Sequence, residues 1–512
     1  MAAEAGLEVL RRGGNAVDAA VTTAFVQGVI DPQMCGIGGC GAMLVHQAAE
    51  GKTHLVEFWA TAGARVREDQ WERLFIREAA DRYGFVLEGA VNDVGYQSVG
   101  VPGTVAGLAE ALRRFGTLSW EQAIAPAIPL ARDGFPVSGF MHAYWVTDYG
   151  PDVVPNDRRI QATPEARRIY TREGGLYQVG DHFVQADYAR TLERLAREGP
   201  EDFYRGQIAQ MIAADFEANG GSFTAADLAA YQAQVGEPLR GAYRGLELAT
   251  AGPPAGGLTL LQMLNFLERF DLAAQGWPSA EAARRLVDAM AFAFADRERH
   301  LADPRFVEVP VGRLASKEYA LAAAPDSPNT TQVSVLDGRG NAVSLTHTLG
   351  AASGVVTPGL GFGYNNYLNC FDPRPGRPNS LRPGKTRITM MCPTIGFRDG
   401  RVSVVIGAPG GTKIVTGVLQ VLVNLVDHGM TPVEAVSAAR VDYQAETVQA
   451  EGRVPVSVLR GLEAAGYRTS RRTLNYDPYF SRPQLIAVDD RGRARGASDP
   501  RKDGGLALEV EA

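Results

Sequence analysis

Residues 329–348 read NTTQVSVLDGRGNAVSLTHT, and the pattern is that of a β-hairpin. Thr331, Val333 and Val335 alternate with Gln332 and Ser334, the period of a strand with two different faces. Asp337-Gly338-Arg339-Gly340-Asn341 supplies a tight turn, and alternation resumes from Ala342 to Thr348. Just upstream, Pro325-Asp326-Ser327-Pro328-Asn329 reads as an irregular, exposed loop. A loop ending in a small polar residue therefore runs straight into Thr330 at the head of a strand. A threonine hydroxyl is a poor nucleophile without a base beside it. One chemical solution makes threonine the first residue of a chain, so that its own α-amine takes the proton. That solution requires a cut between Asn329 and Thr330. Taken alone, a Thr-Thr strand start is common and decides nothing.

Outward from the hairpin, the chain before 325 is rich in helical patterns. Ala16 to Ile30 is apolar but contains Asp18, two threonines and Gln27, so it reads as a buried helix. Ala42 to His46 and His54 to Phe58 form a strand pair around the turn QAAEGK. Residues 100–115 open with Pro102 and Gly103 and run into an amphipathic helix. Residues 119–132 read as another helix, interrupted by Pro126 and Pro129. Helical patterns dominate 163–235, and 281–301 is a long helix with apolar i, i+3, i+4 spacing. After the hairpin, 401–406 is a strand, and Gly407-Ala408-Pro409-Gly410-Gly411-Thr412 turns the chain into a helix over 413–427. Paired strands after 325 and helices before it suggest one α/β core built from two segments.

Composition excludes several functions. The formal net charge of -7 lacks the basic footprint of a nucleic-acid binder. No apolar run approaches the ~20 residues that span a bilayer, and no secretory signal opens the chain, which begins in a helix-like segment. The spacing of Cys35, Cys40, Cys370 and Cys392 matches neither a zinc site nor a disulfide scaffold, so buried thiols are expected. Gly36-Ile37-Gly38-Gly39-Cys40-Gly41 has the spacing of a dinucleotide fingerprint in the wrong order, with the helix before and the strand after. Backbone packed tightly against other backbone explains these glycines better. No G-x-S-x-G elbow or H-E-x-x-H occurs, the histidines are scattered, and His300 sits in a charged helix end where capping and ion pairing suffice.

Several segments in order carry a resemblance. LRRGGNAVDAAV, GIGGCGAM, VPGTVAGL, GPPAGGLTLLQML and ADRERHLADP come before the hairpin, and GYNNYLNCF, RPGKTRITMMCPTI, GAPGGTKIVTGVLQ and SDPRKDGG after it. Together with the hairpin they resemble the γ-glutamyltransferase family of N-terminal-nucleophile hydrolases over nearly the whole chain. The family pattern begins a few residues before Met1, so a strand ahead of this start is expected. The resemblance implies a four-layer αββα sandwich, made as a proenzyme and cut into a large subunit (1–329) and a small subunit (330–512) that stay together as a heterodimer with one intertwined core. It implies no metal and no cofactor, and a small-molecule amide or peptide as substrate. Thr330 matches the nucleophile, Thr348 a second threonine that tunes it, Gly410 and Gly411 the oxyanion pair, and Asn366 lies in a segment that lines the pocket.

The departures fall on the substrate side. Where γ-glutamyl-reading members place an arginine for the α-carboxylate, this chain has Trp59 after Phe58. Cys370 stands where an acidic residue grips the α-amine, Gly350 where the family has an asparagine, Tyr367 where it has a glutamine, and Thr389 and Met390 where it has a serine pair. An α-carboxylate entering this pocket loses its strongest partner, and desolvating it without repayment is costly. Three readings follow: an acyl-Thr330 enzyme acting on γ-glutamyl-like or other small acyl amides; an acylase for a non-glutamyl acyl group, as in the cephalosporin acylases; or an uncut, non-catalytic binding homologue.

Overall fold

The computed structural model describes residues 1–79, 84–148, 150–319, 331–444 and 446–509. Two antiparallel sheets lie face to face. The first is built from β1 (Cys40–Gln47), β2 (Lys52–Phe58) and β3 (Gln234–Gly236), joined by the predicted hairpin. The second begins with β4 (Leu239–Tyr243) and β5 (Leu246–Thr250). The hairpin strands are β6 (Thr331–Leu336) and β7 (Ala342–Thr348). The second sheet is completed by β8 (Thr394–Arg398), β9 (Arg401–Gly407), β10 (Gln484–Val488) and β11 (Ala494–Ser498). The strand orders are β6-β7-β1-β2-β3 and β4-β5-β8-β9-β10-β11, so each sheet draws strands from both sides of residue 330.

Helices cover both outer faces. On the first sheet lie α2 (Ala16–Ile30), against β6 and β7, and α3 (Thr104–Phe115), against β1 and β2, while α1 (Ala2–Arg11) packs on α2. On the second lie α4 (Gly257–Leu267), α6 (Lys413–Val426) and α7 (Pro432–Ser437), and α5 (Ala280–His300) packs on α4. The result is the expected αββα sandwich. Strand period explains how the inner sheets divide their side chains. Met43, Val45, Val343 and Leu345 join the apolar cluster under α2, whereas Ala42, Leu44 and Ala342 face the opposite sheet. Because β7 is covered on both faces, all seven of its residues are buried.

Local signals account for the element ends. Asn15 caps α2 by accepting from the Val17 and Asp18 N–H groups, and the Asp18 carboxylate receives the Asn15 N–H in return. Asp337 organises the hairpin turn by accepting from the Arg339 and Asn341 N–H groups, and its second oxygen accepts from the Ala16 N–H. One expectation changes. The 119–132 segment is two helices, Trp120–Ile124 and Ala127–Asp133, broken at Pro126 alone. Pro129 sits in the first turn of the second helix, where its missing N–H has no intrahelical acceptor to lose. All four cysteines are buried, and none forms a disulfide among the described residues. Among the described residues no helix is long and apolar enough to cross a membrane.

The glycine run of 36–41 is where backbones meet. A Cβ on Gly38 would lie 2.3 Å from the Gly363 carbonyl oxygen, on Gly39 2.4 Å from that of Thr348, and on Gly41 2.2 Å from that of Thr346. Gly39→Ala is therefore expected to lower stability by about 1–3 kcal/mol, because backbone on both sides must give way. Gly338→Ala, in a turn with no neighbouring atom within 4 Å, is expected to stay within about 0.5 kcal/mol of the parent. Thermal midpoints of the purified variants check the pair, and equal midpoints would refute the backbone-contact account.

Candidate active site

The inner face of the hairpin is polar. The Gln332 amide nitrogen donates to Ser344 Oγ (3.0 Å), and its oxygen accepts from Thr346 Oγ1 (2.6 Å). Ser344 Oγ donates to the Ile406 carbonyl (2.9 Å) and accepts from the Thr394 N–H (3.2 Å), which ties the two sheets together. A buried polar network whose members are mutually hydrogen-bonded holds one arrangement. It also sets the position of β9. A Cβ on Gly407 would lie 2.1 Å from Gln332 Oε1, so the strand end passes directly against this side chain.

Beyond Gly407 the chain turns through Gly410 (φ +140°) and Gly411 (φ +67°) into the start of α6. Both are backbone states that favour glycine. Gly410 is also closely backed, since its Cβ would fall 2.5 Å from the Ser481 Cα. The loop is pinned from that side by the Arg482 N–H donating to the Pro409 carbonyl (3.0 Å). Backbone N–H groups at a helix N-terminus are suited to developing negative charge.

Thr348 ends β7, buried and opposite Cys40 of β1. Its hydroxyl oxygen accepts from the Gly350 N–H (2.8 Å). Gly350 has φ +72°, and a Cβ there would lie 2.2 Å from Asn366 Oδ1, so this asparagine excludes a side chain at 350. Asn366 itself is a brace. Its Oδ1 accepts from the Ala351 N–H (2.9 Å), and its Nδ2 donates to Asp93 Oδ1 (2.8 Å). Asp93 in turn pairs with buried Arg159 at 2.6 Å.

Four of the positions where glutamate-reading groups were expected, Trp59, Tyr367, Cys370 and Met390, are buried in the core on the second-sheet side. Trp59, Tyr367, Cys370 and Met390 belong to a single buried cluster with Cys40, Ala60 and Met391. The Trp59 indole donates to Glu57 Oε1 (2.8 Å), and its carbonyl accepts from the Tyr231 hydroxyl (2.7 Å). Burial raises the Glu57 carboxyl above its ordinary range, opposed by that indole bond and by the charge of Arg305. The Cys370 thiol donates to Asn369 Oδ1 (3.1 Å). Thr389 is buried beside this cluster, and its N–H donates to the Pro254 carbonyl (2.9 Å). Gly256 lies against Met390, with a Cβ position 2.7 Å from the Met390 carbonyl oxygen.

Asn329 and Thr330 lie outside the described residues. The described part of β6 begins at Thr331, opposite His347, the residue before Thr348. Two further residues belong to this site and were not singled out from the sequence. Asn365 locks the segment before Tyr367: its Nδ2 donates to the Gly38 and Gly100 carbonyls, and its Oδ1 accepts from the Gly100 and Tyr367 N–H groups. Its signal was the Asn-Asn pair ahead of Tyr367. Arg387, also buried, lays its guanidinium over the Tyr367 ring at 4.1 Å from the centroid. Its signal was a basic residue at the head of an otherwise uncharged run, 388–396.

Two antiparallel sheets between helical layers, with a polar hairpin face meeting a glycine turn at a helix start, define the fold class of the N-terminal-nucleophile hydrolases. The γ-glutamyltranspeptidase family model matches residues 2–508, and the chain belongs to that family. It is 35% identical to the glutathione hydrolase proenzyme of Escherichia coli K12, over 98% of this chain and 89% of that one. It is 37% identical to the acylase ACY 1 proenzyme of Pseudomonas sp. V22, over 98% and 91%. The cephalosporin acylase of Bacillus halodurans superposes with a TM-score of 0.88 at 29% identity, covering 100% of this chain and 94% of that one. The chain is thus an enzyme of the amide-hydrolase and acyltransferase type found in this family.

Proposed function

We propose that the chain is a proenzyme that cuts itself between Asn329 and Thr330 and then works as a two-subunit acylase through an acyl-Thr330 ester. In the cut, Thr330 Oγ attacks the Asn329 carbonyl carbon. The peptide C–N bond breaks, and water hydrolyses the resulting ester to leave a carboxylate on Asn329 and a free amine on Thr330. In turnover that amine takes the Oγ proton as Oγ attacks the substrate carbonyl, and the leaving amine departs with a proton. Water, or an acceptor amine, then releases the acyl group. The Gly410 and Gly411 N–H groups would meet the oxyanion in both reactions, each such donor contributing about 3 kcal/mol. Thr348 would steady the nucleophile, one residue past the described partner of Thr331.

The observation that carries the reading is the hydrogen-bonded frame around the cut. The network of Gln332, Ser344 and Thr346 holds the strand that follows Thr330 against the strand that leads to Gly410. The acyl group is something other than γ-glutamyl. Trp59 pairs with Glu57 where an arginine is wanted, and Cys370 offers no charge to an α-amine. The cephalosporin acylase likeness supports the same direction. Intact mass of the purified protein is the direct test: two fragments separating at 329/330 are expected, and a single stable full-length chain would favour a non-catalytic binding protein. Efficient turnover of γ-glutamyl-p-nitroanilide at micromolar KM would defeat the specificity claim.

A further inference from the structure

Thr412, which directly follows Gly411 at the start of α6, has helical angles (φ -70°, ψ -26°) and is fully buried. Its Oγ1 has no hydrogen-bond partner among the described residues, although a threonine there could turn back onto the carbonyls of the preceding turn. Buried polar atoms are paired with few exceptions, and an exception needs a physical reason. Two other threonines narrow the reason down. Thr416, one turn on along the same helix face, donates to Asp442 Oδ1 (2.8 Å) and so is satisfied. Thr104 opens α3 much as Thr412 opens α6, and its hydroxyl is also buried and unpartnered among the described residues. There, however, the Thr104 N–H donates to the Gly39 carbonyl (3.1 Å), so that helix start already has its acceptor. At α6 the first backbone bond runs from the Ile414 N–H to the Gly411 carbonyl (3.1 Å), and among the described residues the Thr412 N–H meets no backbone acceptor. A helical Cα–Cβ bond tilts toward the N-terminus, so the Thr412 side chain leans over the Gly410-Gly411 turn. Ser481 fills the back of that turn. The hydroxyl thus joins unpaired N–H groups at a helix start, where negative charge is favoured.

We infer that the Thr412 hydroxyl is a third oxyanion donor, beside the Gly410 and Gly411 N–H groups. This rests on the acyl-Thr330 reading above and adds a catalytic residue to it. The tetrahedral intermediate carries its negative charge on the former carbonyl oxygen. Thr412 Oγ1 donates a hydrogen bond to that oxygen and keeps its proton. A hydroxyl held unpaired in the resting enzyme costs stability there, and it gains a partner as the oxyanion forms. An interaction made in the transition state and not in the ground state lowers the barrier without tightening substrate binding. Thr412 should therefore act on kcat and on the cut, and leave KM alone.

Thr412→Val replaces the hydroxyl by a methyl group of similar volume. It should slow the cut at 329/330 and lower kcat on butyryl-p-nitroanilide by roughly 100-fold, with KM within about 2-fold of the parent. The cut needs no added substrate and decides alone if the anilide is a poor one. The thermal midpoint of Thr412→Val should equal or exceed the parent's, because an unpaired buried hydroxyl is removed. Thr416→Val, which takes a donor away from Asp442, should instead lower the midpoint. Thr104→Val is the control for the substitution itself and should cut and turn over at parental rates. If the valine variant at 412 does not fold, Thr412→Ser and Thr412→Ala decide, since both lack the methyl and differ only in the hydroxyl. The serine variant should be faster by about 10-fold or more. Parental rates in Thr412→Val, equal rates in the serine and alanine variants, or a Thr412→Val midpoint below the parent's overturns the inference. A parent chain that neither cuts nor turns over amides would defeat the acyl-Thr330 reading. The midpoints of Thr412→Val and Thr416→Val would still report whether Thr412 Oγ1 is unpaired.

Discussion

Thr330→Ala is expected to leave a single 54.8 kDa chain with no measurable acylase activity. The proposed chemistry asks two things of this residue. Its Oγ must attack the Asn329 carbonyl to make the cut, and the amine set free by the cut must then act as base for the same Oγ. Alanine removes the hydroxyl, so the first event fails and the second is never set up. Loss of a nucleophile that works as one unit with its base costs roughly 10^4-fold or more in turnover. Thr330→Ser separates the two demands, because a hydroxyl and, after cutting, an amine both remain; it should cut more slowly than the parent and recover part of the activity. Mass spectrometry of both variants over time is the measurement. A Thr330→Ala chain that still separates at 329/330 would show that another group makes the cut, and the acyl-Thr330 mechanism would fall with it.

What the sequence made legible were features with a local physical cause. Ala16–Ile30 is a helix because a largely apolar run follows the Asn15 cap, and the predicted and observed ends coincide. The hairpin was legible because period-two alternation flanks a turn that only a few residues can make. Even the glycine run could be understood early, since helix-then-strand order excluded a dinucleotide loop, and the contacts of Gly38, Gly39 and Gly41 with facing carbonyls give the reason. Pro129 was misjudged because its effect depends on its place within the turn.

The candidate site was legible only in part, for a different reason. Gly410, Gly411 and Thr348 sit at element ends, where sequence pattern and position coincide. The roles of Asn366 and Arg387 depend on partners far along the chain. Asn366 reads as a pocket residue until Asp93 and Ala351 occupy its amide. Arg387 was not singled out, because only the fold lays it over Tyr367. Trp59 read as an apolar replacement, yet its indole selects Glu57 as a partner and so fixes a buried carboxyl nearby. Long-range pairing of this kind leaves no periodic trace.

Gly410→Ala should be the most damaging change that leaves every proposed reacting group in place. With φ at +140° and a Cβ position 2.5 Å from the Ser481 Cα, the residue has neither the backbone freedom nor the space for a side chain. Ser481 is not free to retreat. Buried Arg440 donates to its carbonyl and pairs with Asp499 at 2.6 Å, and Arg501 joins Asp499 to Glu451 at 2.7 Å. The Ser498-Asp499-Pro500-Arg501 segment thus buttresses the glycine turn from behind, so the turn itself must move and carry the Gly410 and Gly411 N–H groups away from where the proposed oxyanion would form. Removing such donors costs roughly 100- to 1000-fold in kcat. Because the cut and the turnover pass through the same kind of tetrahedral oxyanion, both should slow, and uncut chain should accumulate alongside the fall in kcat. Gly429→Ala is the control: it has φ +60° with no atom within 4 Å of its Cβ position, so it carries the backbone penalty without touching the turn and should cut and turn over normally. Parent-like kcat and cutting in Gly410→Ala would place the oxyanion donors elsewhere.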